Sequence, residues 1–208
     1  IPFGCVEEAF GVDGGSTDGT LDVYARNNFP VVSQKIRGRG EAFRIAFENS
    51  SADALIFFSP DGNENPDDIP KFREYFEKEY DMVIASRMIE GAVNEEDSQV
   101  LRLRKWANNA FTLAANLCWG SLRRGKYITD SINGFRGITR RAFREINPDA
   151  SGYCIEYQMT ILAMRRSLKI VEFPTIEGKR IGGESYAKSI PTGLRFIRQF
   201  LIELTRNI

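Results

Sequence analysis

Histidine is absent from this 208-residue chain. Its absence excludes Ser-His-Asp and Cys-His couples, imidazole metal ligands and an imidazole base. Proton transfer would fall to a carboxylate, or to Lys, Tyr or Cys. Cysteine is scarce: Cys5, Cys118 and Cys154 are odd in number and far apart, which excludes a metal-spaced set and a disulfide framework and favours a reducing compartment. No apolar run reaches the length of a bilayer span. The chain opens at Ile1 with no signal-peptide pattern. The expected location is the cytoplasm, with any membrane contact peripheral, on the inner face. Net charge is missing too, 28 basic residues against 28 acidic, so the total gives no reason to expect a nucleic-acid partner. A chain of this length buries one sizeable core, which predicts one domain over residues 1–208.

What is present is an alternation. Short apolar runs at Glu8–Val12, Val31–Ile36, Leu55–Phe58 and Met82–Ala85 predict strands. Helical patterns at Thr20–Arg26, Glu41–Glu48 and from Asp67 or Asp68 to Tyr80 separate them. Strands divided by helices predict an α/β fold with a parallel sheet. Farther along, helices are predicted at Val100–Cys118, Arg140–Ile146, Ile155–Arg166 and Ile190–Asn207. Leu168–Phe173 reads as a strand and Ile128–Thr139 as irregular.

One run stands out. The apolar Leu55–Phe58 stops at Ser59-Pro60 and delivers Asp61 and Asn63 beyond the strand's C-terminal end, the edge where open α/β sheets bind ligands. A carboxylate and an amide oxygen there can seat a divalent cation carrying phosphate oxygens; the bland alternative is a turn. Arg39 lies in Arg37-Gly38-Arg39-Gly40, which reads as a phosphate-binding loop at a helix start or as a plain connection. Asp13 ends a strand before Gly14-Gly15 and either meets a ligand or satisfies its own turn. Arg87 follows a strand, and Arg102, Arg104 and Lys105 open a long helix. This basic set suits a phosphate anion, or is a solvated face. Asp130 precedes a Gly-Phe-Arg turn and could pair with Arg136. Glu64 and Asp67 read as caps for the following helix. The last helix turns Leu194, Ile197 and Leu201 to one side, expected to pack on the core, with an anionic membrane surface as the other reading. Trp106, Trp119, Phe196 and Phe200 are likewise expected in the core.

These segments together resemble family-2 glycosyltransferases of the GT-A fold, and within them the dolichol-phosphate or polyprenyl-phosphate mannosyl- and glucosyltransferases. Six motifs in order carry the resemblance, from about residue 9 to about residue 203: Val12-Asp13-Gly14-Gly15-Ser16-Thr17-Asp18-Gly19-Thr20, Gly38-Arg39-Gly40-Glu41-Ala42, Ser59-Pro60-Asp61 with Pro66-Asp67-Asp68-Ile69-Pro70, Ser86-Arg87, Asp130-Ser131-Ile132-Asn133-Gly134-Phe135-Arg136, and Arg180-Ile181-Gly182-Gly183-Glu184-Ser185. Three departures accompany it. Gly14 stands where the family usually has a second Asp, and Ser59 replaces the first Asp of the metal motif. The first crossover helix has no counterpart, which implies that part of an N-terminal region is lacking.

The resemblance implies a Rossmann-like, mostly parallel sheet flanked by helices. It implies inverting transfer of one sugar from a nucleotide diphosphate-sugar to a polyprenyl phosphate or other acceptor, with Mg²⁺ or Mn²⁺. Asp13, Arg39 and Asp61 would hold the donor, and Asp61 and Asn63 the metal. Arg87, Arg104 and Lys105 would hold the acceptor phosphate. Arg180 would close the site, and Asp130 would act as base or orient substrate. A sugar hydroxyl as acceptor, and a non-catalytic nucleotide-sugar-binding module, are the two alternatives.

Overall fold

The structure, a computed structural model, describes residues 2–59, 61–94, 103–120, 127–178 and 189–207. The strands are β1 (Gly11–Asp13), β2 (Val31–Ser33), β3 (Ala54–Phe57), β4 (Met82–Ser86), β5 (Arg136–Thr139) and β6 (Ile170–Pro174). The helices are α1 (Thr20–Arg26), α2 (Arg39–Glu48), α3 (Ile69–Glu77), α4 (Leu103–Trp119), α5 (Arg140–Ile146), α6 (Ile155–Arg165) and α7 (Ser189–Thr205). β1 and β2 pair in parallel. The other strands form a second sheet in the order β3-β5-β4-β6. Within it β4 and β6 are parallel, and β5 runs antiparallel between β3 and β4. Three of its four strands therefore point one way, giving the GT-A-like α/β layout with helices on both faces.

β5 falls inside the stretch read as irregular. Its sequence, Arg-Gly-Ile-Thr, carries no strand pattern because one of its fully buried residues is Arg136, which has no exposed surface. Acceptors close around that guanidinium: the carbonyls of Asn133, Ser131 and Glu156 and the Thr160 hydroxyl. Burial pushes Arg136 down to about 10, with Glu156 and Asp130 opposing, so it stays charged at neutral pH. Gly137 is bare for a packing reason. A Cβ there would sit 2.7 Å from Phe76 and 3.0 Å from Phe72, where α3 crosses the strand.

β4 is buried along its whole length, as a central strand covered on both faces should be. Its alternate residues serve two apolar cores. Met82 and Ile84 join Phe43, Ile138, Tyr157 and Ile161 on one side. Val83 and Ala85 join Ile69, Phe72, Phe135 and Phe173 on the other. α6 is buried from Ile155 to Met164. Its polar Gln158 is satisfied by the Asp149 and Ala150 amides, the Asp149 carboxylate and Glu203.

The last helix corrects an expectation. Phe196, Gln199 and Glu203 face inward, while Leu194, Ile197 and Leu201 are exposed. The reason is polar: Glu203 accepts from Gln158 and Gln199 and pairs with Arg206, which fixes the rotation of α7 on α6. Of the four aromatics expected in the core, Phe196 is buried and Trp119 and Phe200 pack partly buried against it. Trp106 is 55 % exposed.

Candidate active site

The C-terminal ends of β3, β4 and β6 converge on one edge, and a cavity of about 300 Å³ opens there. Its walls come from the loop after β3 (Ser59, Asp61, Asn63, Glu64), Arg87 after β4, Glu177 after β6, and the starts of α2, α4 and α7. Asp61 and Asn63 share this cavity with Arg39, Arg87, Arg104 and Lys105, so the structure brings together six residues singled out from sequence. Arg180 and Arg102 lie outside the described residues.

The loop after β3 is held by its own groups. Glu64 accepts from the Ser59 amide at 2.6 Å rather than capping the next helix. That capping falls to Asn65, which accepts from the Asp67 amide. Asp68 is buried and ties the loop to Thr175 beyond β6 at 2.6 Å. Burial, opposed by the Ser59 amide and Arg39 and reinforced by Asp61 and Glu177, pushes the Glu64 carboxyl up to about 8. Asn63 is buried, its Nδ2 donates to Glu177 Oε1 at 3.1 Å, and the Gly178 amide donates to its carbonyl at 2.7 Å. That bond sets the amide's orientation. Asn63 Oδ1 is then a buried acceptor with no hydrogen bond among the described residues. With the Asp61 carboxylate lining the same cavity, such an oxygen fits a hard divalent cation.

Arg87 and Asp130 form a forked ion pair. Nε reaches Oδ2 at 2.8 Å and Nη2 reaches Oδ1 at 3.1 Å, and the Arg87 amide also donates to Oδ2. Asp130 has no exposed surface and takes two further hydrogen bonds, from Asn108 Nδ2 and the Asn133 amide. It pairs with Arg87, not Arg136, and it does not line the cavity. Burial raises its pKa, but the Arg87 charge and the hydrogen bonds from Arg87 and Asn108 together outweigh this and hold the carboxyl below its usual range. Burial opposes the Arg87 charge too, and Asp130 with Glu177 hold that guanidinium above its ordinary value. The other fork arm of Arg87, Nη1, meets Glu177 at 3.4 Å.

Two glycine motifs meet at Arg39. Its Nε is ion-paired with Glu156, and its guanidinium lies against Gly134 so closely that a Cβ there would overlap it. Gly40 is equally constrained, because a Cβ would strike the backbone carbonyl of Ala150. Asp13 sits apart. Its carboxylate accepts from the Gly15 amide at 2.8 Å and the Ser16 amide at 3.1 Å, and it does not line the cavity. The Ser16 side chain first, then these amides, hold its carboxyl low against the effect of burial.

Sequence reasoning did not single out Glu177, Glu156, Asn108 or Glu172. Each lies in a segment without a motif, and the site residue it holds is 20 or more residues away, so no local signal marks it.

The model of the family described as "Glycosyl transferase family 2" matches residues 6–147. The chain belongs to that family. Among relatives, a glycosyltransferase AglJ of Haloferax volcanii is 28% identical, over 79% of this chain and 52% of that protein. A polyprenol monophosphomannose synthase of Mycolicibacterium smegmatis is 24% identical, over 78% of this chain and 63% of that protein. The chain thus spans about half to two thirds of the length of these relatives. Glucosyl-3-phosphoglycerate synthase of Mycobacterium tuberculosis shares the fold. Its complex with UDP aligns with a TM-score of 0.76 at 18% identity, over 98% of this chain and 71% of that one. Its complex with Mn²⁺, UDP-glucose and phosphoglyceric acid aligns at 0.75 and 20%, over 98% and 70%.

Proposed function

We propose that this family-2 domain transfers a hexosyl group, with inversion, from a nucleotide diphosphate-sugar to a polyprenyl phosphate. The observation that supports this most is the pairing in one cavity of an oxygen-donor set, Asp61 and the buried Asn63 Oδ1, with the cationic Arg104 and Lys105. Asp61 and Asn63 would hold Mg²⁺ or Mn²⁺. A cation bound there offsets the negative charge that builds on the departing diphosphate. Arg39, fixed by Glu156 at the start of α2, lies where a donor phosphate would meet the helix N-terminus. Asp13 sits outside the cavity, so its part in donor binding would be to shape the loop of residues 14–16. Arg180, outside the described residues, is proposed to close the site.

Asp130 is assigned a positioning role. Both of its oxygens are occupied and no surface of it is accessible, so it orients Arg87 for an incoming phosphate rather than accepting a proton. An acceptor phosphate is already an anion at neutral pH and needs no strong base. This favours a phosphate over a sugar hydroxyl as the attacking group. A soluble phosphorylated acceptor is the second reading, because the fold is shared with a structure holding phosphoglyceric acid.

The test is a thermal-shift screen of nucleotide diphosphate-sugars with and without Mn²⁺, followed by transfer to a short-chain polyprenyl phosphate and to phosphoglyceric acid. Asp61→Ala is expected to abolish both turnover and the Mn²⁺-dependent shift. Near-wild-type turnover in that variant would overturn the metal assignment. Transfer to a neutral sugar alone would overturn the acceptor.

A further inference from the structure

Glu172 does not line the cavity, yet it stands behind Arg87 by two routes. It comes from β6, in register with Ile84 of β4, and its carboxylate meets the segment that carries Asp130. Three donors reach it. The Thr129 amide donates to Oε2 at 2.7 Å, and the Asp130 amide and the Thr129 hydroxyl donate to Oε1 at 2.8 and 3.0 Å. The Asp130 amide is the first route, since the carboxylate of that residue forks onto Arg87. The second route runs through hydroxyls. Thr129 Oγ1 lies 2.7 Å from Ser86 Oγ, and the Met88 amide donates to Ser86 Oγ at 3.1 Å. Arg87 is thus held along the backbone by Ser86 and Met88 and at its side chain by Asp130, and both holds lead back to one carboxylate.

The charge state of Glu172 sets the direction of the hydroxyl relay. As an anion it only accepts, so Thr129 donates to it and Ser86 donates to Thr129. Ser86 Oγ then keeps its lone pairs for the Met88 amide. A proton on Oε1 reverses the relay: Glu172 donates to Thr129, Thr129 donates to Ser86, and the Ser86 hydroxyl loses its acceptor. The protonated oxygen is also the weaker acceptor for the Asp130 amide. Burial, against the Thr129 and Asp130 amides, pushes the Glu172 carboxyl up to about 7, so both states are populated near neutrality. The charged groups facing it are Asp130 and, paired behind that residue, Arg87. β4 sets the apolar Ile84 beside it, and α4 meets the same segment with the neutral Asn108, Thr112 and Asn116.

We propose that Glu172 is a positioning residue for the acceptor phosphate: through Thr129, Ser86 and Asp130 it fixes the Arg87 guanidinium in the orientation that receives the anion. The inference rests on the assignment of Arg87 to that phosphate. Acceptor affinity then rises with pH as Glu172 ionises. Donor binding, on the side of α2 and the loop after β3, stays as it was.

The experiment compares Glu172→Gln with wild type by KM for a short-chain polyprenyl phosphate, or for phosphoglyceric acid, across pH. At about pH 8 the variant should raise the acceptor KM about tenfold, the worth of one hydrogen bond to a charged group, and leave the donor KM unchanged. At about pH 6, where wild-type Glu172 is neutral like the amide, the two proteins should converge. The phosphate of the acceptor titrates alike in both, so the ratio of the two KM values isolates Glu172. Thr129→Val cuts the hydroxyl route and Thr129→Ser keeps it. Valine should reproduce part of the loss and serine none, which decides the matter should Glu172→Gln fail to fold. Hydrogen exchange reads the same clamp without an acceptor: the Arg87 and Met88 amides should exchange about tenfold faster in Glu172→Gln. A KM ratio that does not change with pH, tighter acceptor binding in Glu172→Gln, valine and serine behaving alike, or unchanged exchange at those amides would each overturn the proposal. If wild type turns over neither acceptor, the proposed function has failed, and the exchange result by itself decides the role of Glu172.

Discussion

Asp130→Asn separates a positioning carboxylate from a proton acceptor. The substitution keeps the shape of the side chain and removes its charge. In the fork, one oxygen becomes an NH₂ that must face an Arg87 N–H, donor against donor. Breaking a buried ion pair by neutralising one partner costs about 3–5 kcal/mol. The lower end applies here, because Glu177 still faces Arg87 Nη1 at 3.4 Å. For a domain of this size each kcal/mol is worth ~2–4 °C, so about 3 kcal/mol predicts a fall in Tm of roughly 6–12 °C. The assay is thermal unfolding across pH. Asp130's folded pKa is depressed, so its contribution is present above the unfolded value and is lost as pH falls through the lower folded one. The gap between wild type and variant should be constant from neutrality down to about pH 5 and then close in acid. A variant that melts within ~1 °C of wild type but has lost turnover would refute this reasoning and restore the base role.

Three further outcomes follow from the geometry. Glu177→Ala removes the group that holds the Asn63 amide, so Mn²⁺ affinity measured by calorimetry should drop by about 10–100-fold, with Glu177→Gln retaining more; unchanged affinity would dissociate Glu177 from the metal site. Gly40→Ala places a methyl against the Ala150 carbonyl and should cost about 1–3 kcal/mol in urea unfolding. Gly38→Ala, whose nearest neighbour would be 3.9 Å away, should stay within about 0.5 kcal/mol. Burial, against the Thr129 and Asp130 amides, raises the Glu172 carboxyl from 4.5 to about 7. A raised acid binds more protons folded than unfolded, so wild-type stability should decline as pH rises through that window, by at most ~3 kcal/mol after allowing for its partial exposure. Glu172→Gln should flatten that slope, and an identical slope in the two proteins would refute the assignment.

Much of the fold was legible because it rests on local pattern. α1 begins and ends where its sequence says, and Met82–Ser86 is a strand because an unbroken apolar run suits a strand covered on both faces. The order of the motifs was legible too, and so was their common edge, since loops after parallel strands emerge on one side. β5 was not legible. Its strand character comes from two neighbours that lie about 80 and 50 residues earlier, and its first residue is a buried arginine whose neutral acceptors arrive from other segments. The rotation of α7 was hidden for a related reason. The hydrophobic pattern favoured Leu194, Ile197 and Leu201 for the core, and a buried Glu203 held by Gln158 overrode it.

The sequence by itself determined the family, the α/β alternation and the loop after β3 that offers Asp61 and Asn63, because each is written in contiguous residues. Only the tertiary structure decided what those groups are joined to. Asp130 turns inward to hold Arg87, Glu177 fixes the Asn63 amide, and Arg39 rests on Gly134 beside Glu156. Those contacts span from about 40 to more than 110 residues of chain, and packing rather than local preference selects them.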